Sequence, residues 1–63
     1  MSKEEWRKLR KEKGMKFHIP NSRKKGGQRE WILESVFKDA GTFRRHVEDS
    51  WEFGFFPCEM VEL

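Results

Sequence analysis

Nine aromatic side chains, six Phe and three Trp, are the feature that most limits how this 63-residue chain can fold. A chain this short buries only about 60% of its unfolded surface, so it has little material for a core. Each ring can bury roughly 150–250 Å², so a few rings are enough to build one. Disordered chains contain few aromatics. We therefore expect one folded domain, although 40% of the residues are charged.

Small domains usually gain stability from disulfides, a metal or association. Cys58 is the single cysteine, so no disulfide can form within the chain. Together with His18 and His46 it falls short of the four ligands of a structural zinc site. We expect no metal and no cofactor, and we expect a tight apolar cluster or self-association instead.

The lone thiol fits a reducing compartment. The charged N-terminus lacks the apolar segment of a signal peptide, and no apolar run approaches the ~20 residues that span a bilayer. These features predict a cytoplasmic protein without membrane contact.

The pattern of apolar residues predicts a compact α+β domain at residues 15–63, preceded by a basic N-terminal helix or arm at residues 1–14. Ser2 and Glu5 match the capping box of a first helix. The segment "MKFHIP" alternates apolar and polar residues, which indicates a short strand. We expect residues 15–19 to pair with residues 55–62 as a two-stranded sheet.

Two central helices are predicted to pack against this sheet. Ile32, Val36 and Ala40 repeat at helical spacing and Gly41 follows as a stop. Phe43, Val47 and Trp51 repeat in the same way after Thr42, and Gly54 is the second stop. Alternation of Trp51, Phe53 and Phe55 also suits a strand, so the end of this helix stays open.

Charge differs between the two halves of the chain. Residues 1–30 carry eleven Lys or Arg and four Glu, a net charge of +7. Residues 31–63 carry three Lys or Arg and seven Asp or Glu, a net charge of −4. Such asymmetry suggests a basic patch that meets an anionic partner. A solvated surface in which the halves partly neutralise each other explains it equally well.

The loop "NSRKKGGQRE" at residues 21–30 combines basic residues with paired glycines. It matches neither a Walker A loop nor GxGxxG, but contact with a nucleic-acid backbone needs only positive charge. We expect a small regulator that binds nucleic acid, or a nucleoprotein, with little sequence preference. The residues expected to contact phosphate are Arg7, Lys8, Arg10, Lys11, Lys13, Arg23, Lys24, Lys25 and Arg29.

A helix–turn–helix is a less favoured alternative. Arg44, Arg45 and His46 would then reach base edges from the second helix of the motif. Glu48 and Asp49 follow at once, and phosphates would repel them.

Catalysis is not expected. The spacing of His18 and His46 does not support a pair of acid and base. Cys58 lies in an apolar stretch next to Glu59, which favours a buried packing thiol over a nucleophile.

The rival function is a protein–protein or inhibitory module that uses the acidic, aromatic C-terminal half, with a second copy as one possible partner. Its contact residues would be Trp51, Phe53, Phe55 and Phe56, which as aromatics are typical of interface hot spots. The same rings can stack on unpaired bases or simply form the core.

Overall fold

A computed structural model describes residues 1–20, 22 and 30–63, which form a four-stranded antiparallel sheet with one short helix. The elements are α1 at Lys3–Lys8, β1 at Lys16–His18, β2 at Glu30–Phe37, β3 at Ala40–Val47, β4 at Ser50–Pro57 and a 3-10 turn at Cys58–Met60. The strands lie in the order β1-β2-β3-β4, so neighbours in the chain are neighbours in the sheet. The predicted α+β fold with two packed central helices is therefore wrong.

β2 takes the place of the first predicted central helix. Trp31 and Leu33 are buried, as expected for alternating residues of a strand with one face on the core. A register shift between Leu33 and Ser35 then inserts an extra residue, a β-bulge that changes the phase of the alternation. As a result Ile32 and Val36, which helical spacing would put on one stripe, lie on opposite faces of the sheet.

β3 and β4 take the place of the second predicted helix. Two-residue loops connect β2 to β3 and β3 to β4. Their first residues, Lys38 and Glu48, have φ values of 54° and 56°, the positive φ that hairpin turns of this length require. Gly54, predicted to end a helix, lies within β4, where a Cβ atom would meet Phe56 Cε2 at 2.6 Å.

The core lies on one face of the sheet and is built mainly from aromatic rings. Ring centroids are 5.9 Å apart for Trp6 and Phe17, 5.8 Å for Phe17 and Phe43, and 5.0 Å for Trp31 and Phe56. These distances are typical of favourable tilted and edge-to-face pairs. The buried hydrophobic residues are Trp6, Phe17, Ile19, Trp31, Leu33, Phe43, Cys58 and Val61.

Helix α1 covers the core from the side opposite the sheet, with Trp6 fully buried. The predicted capping box is confirmed, because the Ser2 hydroxyl accepts from the Glu5 amide and the Glu5 carboxylate accepts from the Ser2 amide. The hydrogen bond from Ser2 lowers the pKa of the Glu5 carboxyl. The helix ends at Lys8, several residues before the end of the helix or arm predicted at residues 1–14.

The two ends of the chain meet beside β1. The strand predicted in "MKFHIP" is confirmed as β1, but its predicted sheet with residues 55–62 is reduced to a single bridge. His18 and Glu62 exchange two backbone hydrogen bonds of 2.7 Å. The terminal ammonium of Met1 donates to the Val61 carbonyl at 2.7 Å. The short C-terminal segment is thus fixed against β1.

Candidate functional site

The outer face of the sheet, which faces away from the core, carries large apolar side chains. Residues opposite each other on neighbouring strands share a face. His46 lies opposite Trp51, Arg44 opposite Phe53, and Thr42 opposite Phe55. All of these residues alternate with the buried positions of β3 and β4 and therefore point outward.

Four of these side chains are exposed aromatics. The exposed fraction is 63% for Phe37, 46% for Trp51, 68% for Phe53 and 58% for Phe55. We call this set the aromatic face. Single exposed apolar residues are ordinary, but a contiguous group of large ones marks interaction sites. Three of the four are in β4, an edge strand of the sheet, and Phe37 is the last residue of β2.

Arg44 organises one end of the aromatic face. Its guanidinium carbon lies 4.6 Å from the centroid of the Trp51 ring, within the range of a cation–π contact. Its Nε lies 2.6 Å from a Glu34 carboxylate oxygen, in an ion pair whose angles do not suit a hydrogen bond. The His46 ring also packs against Trp51, with centroids 4.9 Å apart and an angle of 71° between the ring planes. These two contacts restrict the orientation of the indole.

A buried polar cluster supports the same strands from beneath. Arg45 is 1% exposed, its Nε lies 2.6 Å from a Glu52 carboxylate oxygen, and its guanidinium carbon lies 4.2 Å from the Trp31 ring centroid. Trp31 Nε1 donates to the Ser22 hydroxyl at 2.8 Å, and that hydroxyl donates to the Ile19 carbonyl. This charged and hydrogen-bonded group ties β2, β3 and β4 together, so the aromatic face rests on a fixed backbone.

The described basic residues that were predicted to bind phosphate lie away from the aromatic face. Arg7 makes two hydrogen bonds of 2.9 Å to Asp39. Lys8 pairs with Glu4 at 3.4 Å and Arg10 with Glu12 at 3.1 Å. These residues belong to α1 and the segment after it, on the core side of the sheet.

Lys11 donates to the Trp6 and Leu9 carbonyls, and Lys13 is exposed. The remaining predicted contacts, Arg23, Lys24, Lys25 and Arg29, lie outside the described residues. Among the described basic residues predicted to contact phosphate, Arg7, Lys8, Arg10 and Lys11 thus make contacts within the domain, whereas Lys13 is exposed.

The structure does bring together three of the four residues predicted for a protein partner. Trp51, Phe53 and Phe55 lie side by side on the outer face. Phe56 lies on the core face, where its ring packs against Trp31. Phe37 also belongs to the aromatic face, although its segment was predicted to be a helix. The alternation of Trp51, Phe53 and Phe55 was the sequence signal for a sheet, and a sheet would have placed Phe37 in a strand.

Residues weighed for other chemistry are dispersed or buried. Arg44, Arg45 and His46 lie in β3, which excludes the helix–turn–helix alternative. His18 lies 3.7 Å from the Glu62 carboxylate. Burial raises the pKa of the Cys58 thiol, so that the thiolate is disfavoured.

Within residues 1–20, 22 and 30–63, no three His, Cys, Asp or Glu side chains are grouped so that they could bind a metal ion. In the same part of the chain, no helix has the length and apolar content to cross a membrane. Comparisons with protein-family models, curated proteins and solved structures found no match to this chain.

Proposed function

We propose that this chain is a non-enzymatic binding module that docks on protein through its aromatic face. The observation that carries the proposal is the exposure of Phe37, Trp51, Phe53 and Phe55 on one side of the sheet. From their exposed fractions these four side chains present roughly 400–500 Å² of apolar surface. A standard interface buries about 800 Å² on each partner, of which somewhat more than half is apolar. The aromatic face therefore suits the centre of such an interface.

The charge around the aromatic face also favours protein over nucleic acid. Among the described residues, Lys16 and Arg44 on the outer face are balanced by Glu30 and Glu34, and the Lys38 ammonium lies 5.8 Å from the centroid of the Phe37 ring. Beyond Trp51, the β3–β4 turn adds acidic residues at Glu48 and Asp49. Affinity for nucleic acid comes mainly from cations placed against phosphates. Over the described residues, this near-neutral apolar surface with an acidic border provides little of that attraction, and it suits the neutral or basic surface of a protein.

Site-specific photo-crosslinking tests this proposal in cells that express the chain. A benzophenone analogue of phenylalanine replaces Phe53 in one version and Lys8 in the matched control, because Lys8 lies on the opposite side of the molecule. We expect protein adducts from position 53 and few from position 8. Equal adducts from both positions, or none from position 53, would contradict docking through the aromatic face.

Nucleic-acid binding through the basic N-terminal half is the second candidate function. The observation that favours it is the balance of +7 over residues 1–30. In addition, Lys13 and Lys16 have no carboxylate partner among the described residues. Binding of this kind would be largely independent of sequence and would weaken steeply with salt.

A fluorescence titration with duplex DNA, duplex RNA and single strands tests this second function, at about 50 mM and about 150 mM salt. Neutralising Arg23, Lys24 and Lys25 together should weaken binding if the loop contacts phosphate. A second variant neutralises Lys3, Lys8 and Arg10, which removes the same charge from α1 and the segment after it, so that comparing the two variants shows whether the loop or the helix contributes more to phosphate contact. No binding at low salt would exclude this function.

A further inference from the structure

The outer edge of β4 exposes backbone groups of the same residues that form the aromatic face. Residues flanking a two-residue hairpin loop bond to each other, so Val47 and Ser50 are a hydrogen-bonded pair. Hydrogen-bonded and non-bonded pairs then alternate along the two strands. The Cys58 amide donates to the Asp39 carbonyl at 2.8 Å, which confirms that this alternation continues to the end of β4.

This alternation directs the amide and carbonyl of Trp51, Phe53 and Phe55 away from β3. Pro57, which has no N–H to donate, falls at another outward position, as expected for proline in an edge strand. No segment among the described residues pairs with this outer edge of β4. A strand of eight residues that carries exposed aromatics, and whose outer edge pairs with no described segment, is a template for pairing with another strand.

We propose that β4 pairs with β4 of a second copy of this chain, antiparallel and centred on Phe53, so that the two sheets become one sheet of eight strands. The inference rests on the proposed function and names a second copy as the protein that docks. An isologous dimer of this kind closes on itself, because the same edge is used by both partners.

The register follows from the residues along the edge. Centring on Phe53 places that residue opposite its own copy and Trp51 opposite Phe55 of the second copy. All three outward residues then exchange both backbone hydrogen bonds, about six bonds in total. Side chains that oppose each other in this register are aromatic on the outer face, and aromatic cross-strand pairs stabilise sheets.

Neighbouring registers are worse for identifiable reasons. Centring the dimer on Glu52 would place two carboxylates directly opposite each other, which is unfavourable. Centring it on Gly54 would place Trp51 opposite Pro57, which cannot donate a hydrogen bond. In the register centred on Phe53, Glu52 lies opposite Gly54 instead. The edge of β4 is therefore self-complementary in one register.

Sedimentation of the full chain over a wide range of concentration tests the dimer, with a chemically synthesised chain as the control. Its Phe53 amide carries an N-methyl group, which removes the outward donor and keeps the ring. We expect the mass of the natural chain to double from 7.7 kDa with rising concentration. The N-methyl chain should stay monomeric at the same concentrations.

Disulfide cross-linking tests the register, with oxidised glutathione as the oxidant. Phe53→Cys should form a symmetric disulfide, because paired Cα atoms about 5.5 Å apart lie within disulfide range. Phe55→Cys is the matched control: it also removes one ring from the aromatic face, but the Cα atom of its own copy would be roughly 15 Å away. We expect cross-linking of the first variant at least ten times faster than that of the second, with Cys58 remaining reduced.

A dimer that the N-methyl group does not weaken, or that cross-links equally at both positions, would overturn the β4 pairing. A monomer at all concentrations would also overturn it. In that case binding of the dye anilinonaphthalene sulfonate separates the two proposals. Dye bound by the natural chain and lost in Phe53→Ser leaves the aromatic face available for a different protein. A monomer that binds no dye would remove both proposals.

Discussion

The indole Nε1 of Trp6 donates a hydrogen bond to the backbone carbonyl of Lys38 at 2.9 Å. This contact joins the buried ring of α1 to the turn between β2 and β3. A bidentate ion pair between Arg7 and Asp39 reinforces it at the surface. The N-terminal helix is therefore part of the domain, and it closes the core on the side opposite the aromatic face.

Replacing Trp6 by Phe should lower the free energy of unfolding by about 1–3 kcal/mol. The substitution keeps an aromatic ring in the core, but it leaves the Lys38 carbonyl without its donor and a gap beside the smaller ring. Urea denaturation measures the loss. Trp51→Phe makes the same chemical change on the exposed face and should cost less than about 1 kcal/mol. Equal costs would contradict the anchoring role of Trp6.

The β3–β4 turn stores backbone strain at Glu48, whose φ is 56°. Glycine adopts this conformation without the steric cost that other residues incur. Glu48→Gly should therefore leave stability unchanged or raise it by up to about 1 kcal/mol. Glu48→Val removes the same charge but should lower stability by about 1–2 kcal/mol, because a β-branched residue strongly disfavours positive φ. Thermal unfolding of the two variants tests the turn, and indistinguishable midpoints would contradict it.

The ion pair between Arg7 and Asp39 should make stability depend on pH in acid. The hydrogen bond from Arg7 lowers the pKa of the Asp39 carboxyl in the folded state. The resulting stabilisation is present above the unfolded pKa of roughly 4, and it is lost as the pH falls from there through the lowered folded pKa. Arg7→Gln should flatten this part of the stability curve.

Lys8→Gln is the control for that measurement, since it removes one positive charge from α1 without touching Asp39. Urea midpoints between about pH 2 and pH 6 compare the variants. A natural chain and an Arg7→Gln variant that lose stability in parallel over this range would show that Asp39 does not gain from its partner.

Phe43 in β3 and Phe53 in β4 belong to paired strands, but their side chains lie on opposite faces of the sheet. Truncating each of them to Ala therefore gives a matched pair of variants. Phe43 is fully buried whereas Phe53 is 68% exposed. Phe43→Ala should cost about 3–5 kcal/mol through lost burial and a cavity. Phe53→Ala should cost less than about 1 kcal/mol. Guanidinium denaturation in dilute solution, where self-association is weak, measures both, and a large cost at Phe53 would show that it belongs to a core.

Sequence reasoning predicted the strand at β1 and the cap of α1, because their signals are short and local. It failed at β2 because the bulge after Leu33 interrupts the alternation of Trp31 and Leu33. The displaced apolar residue at Val36 then mimics helical spacing with Ile32. Neither hairpin turn contains the glycine that usually marks such turns, so the turns at Lys38 and Glu48 could not be predicted from their residue types.

In β3 and β4, one charged residue is buried and several aromatic residues are exposed, which is the opposite of the usual pattern. The sequence therefore did not indicate which side of each strand faces the core. Arg45, a charged residue, lies at a buried position between Phe43 and Val47, where a simple rule expects an apolar one. Phe53 and its neighbours on β4 point outward, where the rule expects polar residues. The rings predicted for a protein partner could therefore be named, but the face they share could only be seen once the strands were paired.

Solvent exposure of individual rings tests the central claim most directly. A soluble gadolinium chelate broadens the NMR signals of protons that solvent can approach. In dilute protein we expect strong broadening of the ring protons of Phe37, Trp51, Phe53 and Phe55, and little broadening for Trp6, Phe17, Trp31 and Phe43. Equal protection of Phe53 and Phe43 would contradict an open aromatic face and the binding function proposed for it.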